Sequence, residues 1–152
     1  MKILALETSA VTASAAVTED DRLLAQSFQN SGLTHSTTLM PMVSDLLKNT
    51  GLALQDMDVI AVAAGPGSFT GVRIGVAAAK GLAWPEDKPC APCSTLESMA
   101  WQCAHVGGEI CAAMDARRNQ VYCARFRAEG GALTRLTEDR AMGLDELAAE
   151  VR

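Results

Sequence analysis

Hydrophobic and polar positions at the start of the chain follow the two-residue period of β-strands. Residues 2–9 form a run of β-favourable residues that is apolar over 3–6, and residues 13–18 and 22–29 alternate small or apolar side chains with polar ones. The acidic residues 19–21 separate the second segment from the third and are typical of a turn. The pattern predicts a three-stranded antiparallel meander.

The period then changes to that of an α-helix. Apolar residues within 34–50 fall on one helical face, and Gly51 follows as a stop. Residues 58–64 are apolar from Val59 onward, which is typical of a parallel strand buried on both faces. A second helix is predicted from 70 to 84. A further parallel strand over 88–94 and a third helix from Ser94 to Cys103 follow.

After residues 107 and 108, both glycines, the strand pattern restarts. Strands are predicted over 110–115, 120–127 and 133–137, and residues 143–152 begin a helix. This order repeats that of the N-terminus, so we predict an α/β protein with a mixed sheet and two related lobes, residues 1–106 and 107–152. Because the second copy stops before its own parallel strands, we expect that lobe to be incomplete and the chain to be truncated.

Composition and charge exclude several classes of protein. Apolar residues make up 49% of the 152 residues and charged ones 20%, which excludes general disorder. The net charge of -5 excludes a protein that coats nucleic acid by neutralising phosphates, so any RNA contact must be local. No apolar stretch approaches the ~18 residues of a membrane span, and Glu7 interrupts the only segment that imitates a signal peptide. The odd number of cysteines, five, fits reduced thiols, so we expect a cytoplasmic protein.

A glycine-rich loop, residues 65–71, lies between the predicted buried strand and the second helix. Backbone N–H groups at such a helix start can hold an anion, with Gly67, Ser68 and Thr70 as contacts. The spacing fits neither a Walker A loop nor a dinucleotide fingerprint. The alternative is a tight turn that lets the helix pack closely on the sheet.

Small residues recur every four positions in the second helix, at Gly71, Gly75 and Ala79. Each glycine inside a helix costs about 1 kcal/mol relative to alanine, so a closely packed neighbour is expected. That neighbour is either the 34–50 helix of this chain or a helix of another protein.

Candidate catalytic and metal-binding residues are few. Cys90 and Cys93 have the spacing of a redox dithiol, but Ser94 rather than a cysteine is the predicted helix cap, so buried packing cysteines are the alternative. No further zinc ligands occur at a recognised spacing. His35 and His105 belong to no nucleophile signature, so no catalytic residue and no metal are predicted.

A turn at residues 115–118 joins a carboxylate to two guanidiniums. Asp115, Arg117 and Arg118 could bind a phosphate, or they could pair with one another across the turn. The sequence leaves both interpretations open.

These motifs together resemble the TsaB (YeaZ) family. The resemblance is carried by residues 3–9, by the glycine loop continuing into Val72 and Arg73, and by residues 115–118 with Tyr122, and it covers essentially the whole chain. It implies an actin-like, Hsp70-like ATPase fold of the ribonuclease H-like type with two related lobes. Family members extend past the last residue of this chain, which agrees with the expected truncation.

The resemblance also implies a role in tRNA modification. The family is similar to TsaD, the catalytic paralogue that transfers a threonylcarbamoyl group to adenosine in tRNA reading ANN codons. TsaD's two metal-binding histidines correspond here to Thr95 and Met99, neither of which suits a hard metal ion. The resemblance therefore implies a scaffold or activator without catalytic residues, metal or cofactor. It would pair with TsaD and the ATPase TsaE, self-associate as a homodimer, and meet tRNA only through the complex.

The resemblance implies a partner surface on the first two helices. Its predicted residues are Leu39, Met42, Val43, Leu46, Gly71, Ile74, Gly75, Ala78 and Ala79. Two alternative functions remain. A sugar-kinase-like ATPase is disfavoured because residues 7–10 lack the glycine usual in a first phosphate loop, and a dithiol oxidoreductase would depend on Cys90 and Cys93.

Overall fold

The computed structural model describes residues 1–151, which divide into two compact units. Unit 1 comprises residues 1–64 and 68–93, and unit 2 comprises residues 65–67 and those from 94 onward. The lobe boundary predicted between residues 106 and 107 stays a prediction. No helix among residues 1–151 has the length and apolar character that crossing a membrane requires.

A five-stranded mixed sheet forms the centre of unit 1. Its order is β3-β2-β1-β4-β5, and β1 pairs antiparallel with β2 and parallel with β4. The predicted meander is confirmed, because β2 also pairs antiparallel with β3. The strands are β1 (Lys2–Glu7), β2 (Ala13–Glu19), β3 (Arg22–Gln29), β4 (Val59–Gly65) and β5 (Cys90–Ser94).

Two helices pack with this sheet, α1 (His35–Thr50) and α2 (Phe69–Ala83). α1 ends where the prediction placed it: Gly51 has a φ of 68° and its N–H donates to the carbonyls of the last turn. α2 begins after Ser68, whose side chain accepts a hydrogen bond from the Gly71 N–H. Short 3-10 turns lie at Leu54–Asp56 and Trp84–Glu86.

The core of unit 1 is aliphatic. Burying each of its large side chains contributes roughly 1.5–3 kcal/mol, which holds the apolar face of α1 against the sheet. It includes side chains from β1, β2, β4 and both helices: Leu4, Leu6, Val17, Leu39, Val43, Leu46, Ile60, Val62 and Ala79.

Unit 2 is built on a long antiparallel hairpin. Strand β7 pairs with β6 along its length, with β8 at one end and with β9 at the other. Leu96 and Ala100 of α3 pack on Phe126 and its neighbours in a small core. The elements are α3 (Thr95–Trp101), β6 (Gly108–Arg117), β7 (Gln120–Glu129), β8 (Ala132–Arg135), β9 (Arg140–Gly143) and α4 (Leu144–Glu150).

Unit 2 differs from the prediction at the ends of several elements and at one strand. The third helix ends at Trp101 rather than at Cys103, and β8 ends at Arg135 rather than at residue 137. β9 was not predicted at all, because its four residues show no alternation and gain their strand geometry only from pairing with β7.

Candidate functional site

The end of β1 meets the start of α2 in a closely packed junction. Thr8 and Ser9 are buried, and the Thr8 hydroxyl donates a hydrogen bond of 2.8 Å to the Gly71 carbonyl. The Ser68 N–H donates to the Ser9 carbonyl at 2.6 Å. On the other side, His35 at the start of α1 donates from Nε2 to the Ala10 carbonyl at 2.8 Å.

The small-residue stripe of α2 faces this junction. A Cβ at Gly71 would overlap the Thr8 backbone carbonyl, and one at Gly75 would overlap the Thr8 hydroxyl and touch Val62. The stripe therefore exists to let α2 approach the end of β1 and strand β4 of the same unit. Of the two predicted neighbours, α1 contributes through its first residue, since a Cβ at Gly71 would also lie 3.3 Å from the His35 ring, and a helix of another protein stays a prediction.

The residues of the predicted partner surface lie mostly on the buried sides of α1 and α2. Leu39, Met42, Val43, Leu46, Gly71, Gly75 and Ala79 are buried inside unit 1, and Ile74 and Ala78 are partly buried. Side chains on the buried face cannot contact a partner while unit 1 keeps this fold, because sequence periodicity identifies a shared face but not what covers it. That a partner binds these two helices stays a prediction.

The opposite face of α2, with the residue that follows the helix, is exposed and carries large apolar side chains. We call Phe69, Arg73, Ala77, Lys80 and Trp84 the α2 outer face. The 3–4-residue spacing puts them on one side of the helix. Phe69 is 72% exposed and Trp84 87% exposed. The Arg73 guanidinium lies 4.1 Å from the centre of the Phe69 ring, a cation–π contact that orders both side chains.

The predicted phosphate contacts at the glycine loop are partly used by the fold. The Ser68 hydroxyl accepts from the Gly71 N–H at 3.3 Å, and its own N–H binds the Ser9 carbonyl. Thr70 is exposed and Gly67 is partly buried. Because two groups of Ser68 already stabilise the junction, the geometry favours the tight turn over a phosphate site, and phosphate contact by these residues stays a prediction.

The turn between β6 and β7 presents the two predicted arginines. The Asp115 carboxylate accepts a hydrogen bond of 2.7 Å from the Arg117 backbone N–H. This carboxylate therefore stabilises the backbone of the turn rather than pairing with a guanidinium. Arg117, Arg118 and Asn119 have φ angles of 65°, 53° and 60°. This left-handed conformation costs about 1 kcal/mol per non-glycine residue. Both arginine side chains are exposed.

The dithiol interpretation is wrong. Cys90 and Cys93 lie on one extended strand, where residues three apart are separated by about 10 Å and point to opposite faces, whereas a disulfide needs Cα atoms within about 7 Å. All five cysteines are free. Burial raises the pKa of the Cys123 thiol, which makes it less reactive.

The positions matched to TsaD's metal-binding histidines have structural roles here. Thr95 is buried at the start of α3, and Met99 packs against the core of unit 2. Within residues 1–151 no three His, Cys, Asp or Glu side chains are grouped so that they could hold a metal ion.

Comparison with known proteins identifies the class and then the family. The mixed sheet and its helices form an actin-like ATPase-type α/β domain, and the family model described as TsaD, tRNA N6-adenosine threonylcarbamoyltransferase, matches residues 23–150. The structure of YeaZ from Pseudomonas aeruginosa superposes with a TM-score of 0.85 at 32% identity, over 93% of this chain and 66% of that one. The chain belongs to the TsaB (YeaZ) family, which confirms the resemblance and the predicted fold class.

Two curated relatives carry the same description, tRNA threonylcarbamoyladenosine biosynthesis protein TsaB. The Bacillus subtilis protein is 41% identical over 92% of this chain and 61% of its own length. The Escherichia coli protein is 36% identical over 99% of this chain and 65% of its own length. The chain thus spans somewhat less than two thirds of the length of these relatives.

Proposed function

We propose that this chain acts in tRNA threonylcarbamoyladenosine biosynthesis as a non-catalytic scaffold that pairs with a TsaD-type catalyst through the α2 outer face. Membership of the TsaB family supports the pathway. The observation that carries the pairing is that Phe69 and Trp84 stand exposed on one helix face whose opposite side is fully used by the core.

The non-catalytic role is supported by what occupies the catalytic positions of the paralogue. Thr95 and Met99 stand where the resemblance places metal-binding histidines, and both belong to the packing of α3. At the glycine loop, Ser68 is committed to the junction with Ser9. For the same reason the sugar-kinase-like ATPase remains the disfavoured alternative.

The α2 outer face has the properties of a helix-binding surface. Its two aromatic side chains are fifteen residues apart in sequence, or about 22 Å along the helix. Ala77, between them, leaves room for a second helix to approach closely. Arg73 and Lys80 give the face a positive charge, so we expect the partner to offer an apolar groove flanked by carboxylates. Aromatic and arginine side chains dominate the binding energy of most protein interfaces.

The test is the substitution Trp84→Ala, with binding to a TsaD-type protein measured by titration calorimetry. Loss of a central tryptophan costs about 2 kcal/mol, so the affinity should fall roughly thirtyfold. The control is Trp101→Ala, since Trp101 is 50% exposed but lies in unit 2. Circular dichroism checks that both variants fold. Equal affinities for Trp84→Ala and the unsubstituted chain would move the interface elsewhere.

The proposal extends to self-association and to TsaE. A homodimer that uses the same outer face must compete with the TsaD-type partner, so adding the partner should convert dimers into mixed complexes in light scattering. Trp84→Ala should weaken both assemblies. We propose that TsaE and tRNA engage the assembled complex rather than this chain by itself, apart from the local contact argued next.

A further inference from the structure

The arginines of unit 2 divide into two groups by their partners. Arg125, Arg127, Arg135 and Arg140 each form an ion pair with a glutamate or aspartate. Arg117 and Arg118 form none within residues 1–151, and neither guanidinium makes a hydrogen bond there. The two arginines of unit 2 without an ion pair within residues 1–151 are therefore both at the β6–β7 turn, whereas the other described arginines of that unit are paired with carboxylates.

The turn holds these arginines in an unfavourable backbone conformation. Three successive non-glycine residues, Arg117 to Asn119, have positive φ angles, and glycine is the residue that such positions favour. A left-handed turn made of non-glycine residues is less stable than one built on glycine, and this one carries two exposed arginines. Strain of this kind is found at functional sites.

An open cavity of about 230 Å³ lies beside the turn within unit 2. Its apolar wall includes Ala113, Val121 and Leu144, and its polar edge is formed by Asp115, Asn119 and Gln120. Apolar surface next to amide and carboxylate groups suits a planar heterocycle with hydrogen-bonding edges. The cavity and the guanidiniums together match a nucleotide: a base in the cavity and a phosphate on the arginines.

We propose that the β6–β7 turn binds single-stranded RNA, with Arg117 and Arg118 on the phosphodiester backbone and an unstacked base in the adjoining cavity. The net charge of -5 opposes general attraction to RNA, so binding must come from this local group. The identification of the ligand as RNA rather than a free nucleotide rests on the proposed function. The affinity for a phosphate beside a base rests on the turn itself.

The experiment measures fluorescence anisotropy of a labelled oligoadenylate titrated with this chain at low and at moderate salt. We expect measurable binding at low salt, and at least about tenfold weaker binding for Arg117→Gln combined with Arg118→Gln. The slope of log affinity against log salt should fall by about 0.7 for each phosphate contact removed. The matched control is Arg127→Gln, which removes the same kind of charge from an exposed arginine that is paired with Glu129. The affinity of this variant for the oligoadenylate should stay unchanged.

Three outcomes overturn the inference. The first is the absence of binding that depends on Arg117 and Arg118, seen either as no binding at low salt or as an equal loss of affinity in the Arg127→Gln control. The second is that adenosine monophosphate competes for the site as strongly as unlabelled oligoadenylate does, which would assign a free-nucleotide site. The third is polyglutamate competing equally, which would assign an acidic protein segment. Trp84→Ala tests the scaffold separately, because it should weaken the partner complex and leave oligoadenylate binding intact.

Discussion

Unit 1 and unit 2 achieve stability by different means. Unit 1 has the larger aliphatic core, and the ion pairs that it forms within residues 1–151 lie at the end of the β1–β2–β3 meander. Unit 2 has a small core around Phe126 and links separate elements through arginines. Glu150 of α4 accepts hydrogen bonds from Arg125 and Arg140, and Arg135 pairs with both Glu97 and Asp139. Steric changes should therefore damage unit 1 most, and changes of charge or pH should damage unit 2 most.

The largest effect is expected in unit 1 from Gly71→Ala. The added methyl group overlaps the Thr8 backbone carbonyl and cannot be accommodated by a rotamer change. Relieving that overlap must move α2 or the end of β1, so we expect the free energy of unfolding to fall by about 3 kcal/mol. Urea denaturation followed by circular dichroism measures it.

Gly81→Ala is the matched control on the same helix. Nothing lies within 4 Å of the added Cβ, and Gly81 has no positive φ. Because alanine is the better helix former, this substitution should raise stability by about 0.5–1 kcal/mol. Opposite signs for the two glycines would support the close approach at Thr8, and a harmless Gly71→Ala would contradict it.

A smaller effect is expected at the turns, where the units again differ. Unit 1 places Gly51 in the left-handed conformation after α1, whereas unit 2 places Arg118 in it. Arg118→Gly should therefore stabilise unit 2 by about 1 kcal/mol. Gly51→Ala should destabilise unit 1 by a similar amount. Thermal unfolding of both variants checks the pair, and a destabilised Arg118→Gly would mean that the turn is not strained.

The smallest effect concerns acid. The hydrogen bond from Arg140, supported by Arg125, lowers the pKa of Glu150 below its ordinary 4.5. A carboxyl whose pKa is lower in the folded state stabilises the fold above its unfolded pKa and loses that contribution as pH falls through the folded value. Unit 2 should thus lose this stabilisation progressively below about pH 4.5.

Glu150→Gln isolates this contribution. The variant should be less stable than the unsubstituted chain at neutral pH, and the difference should shrink as the pH falls through the lowered pKa of Glu150 and the carboxyl becomes protonated. Asp145→Asn is a suitable control, because Asp145 is exposed in the first turn of α4 and forms no ion pair within residues 1–151. A pH-independent difference would exclude the carboxylate as the cause.

Most secondary structure of unit 1 could be predicted from sequence because its signals are local. The helical face of α1 and the stop at Gly51 depend on neighbours in the chain, and both are confirmed. The packing of Thr8 against the small residues of α2 was not predictable, because Thr8 lies sixty-three residues away from Gly71 in sequence. Periodicity cannot reveal such a partner.

The candidate sites divide in the same way. The sequence located the turn at residues 115–118, since Asp and Arg residues between two strand patterns indicate a hairpin. It did not reveal that Arg117 and Arg118 form no ion pair within residues 1–151, because ion pairs such as that of Arg135 with Glu97 join residues far apart in sequence. The exposure of Phe69 and Trp84 was likewise not predictable from sequence, since both have the pattern of ordinary apolar residues in an amphipathic helix.

The position of β1 in the sheet has a consequence for synthesis on the ribosome. β1 needs β2 on one side, which follows within a few residues, and β4 on the other, where Ile3 pairs with Val59. A nascent chain folding from its N-terminus can form the meander and α1 while the other edge of β1 is still open. An open strand edge is a template for pairing with other chains. Until residues 59–62 leave the exit tunnel, the growing chain is therefore most vulnerable to aggregation. During that interval β1 is the segment that we expect a chaperone to bind.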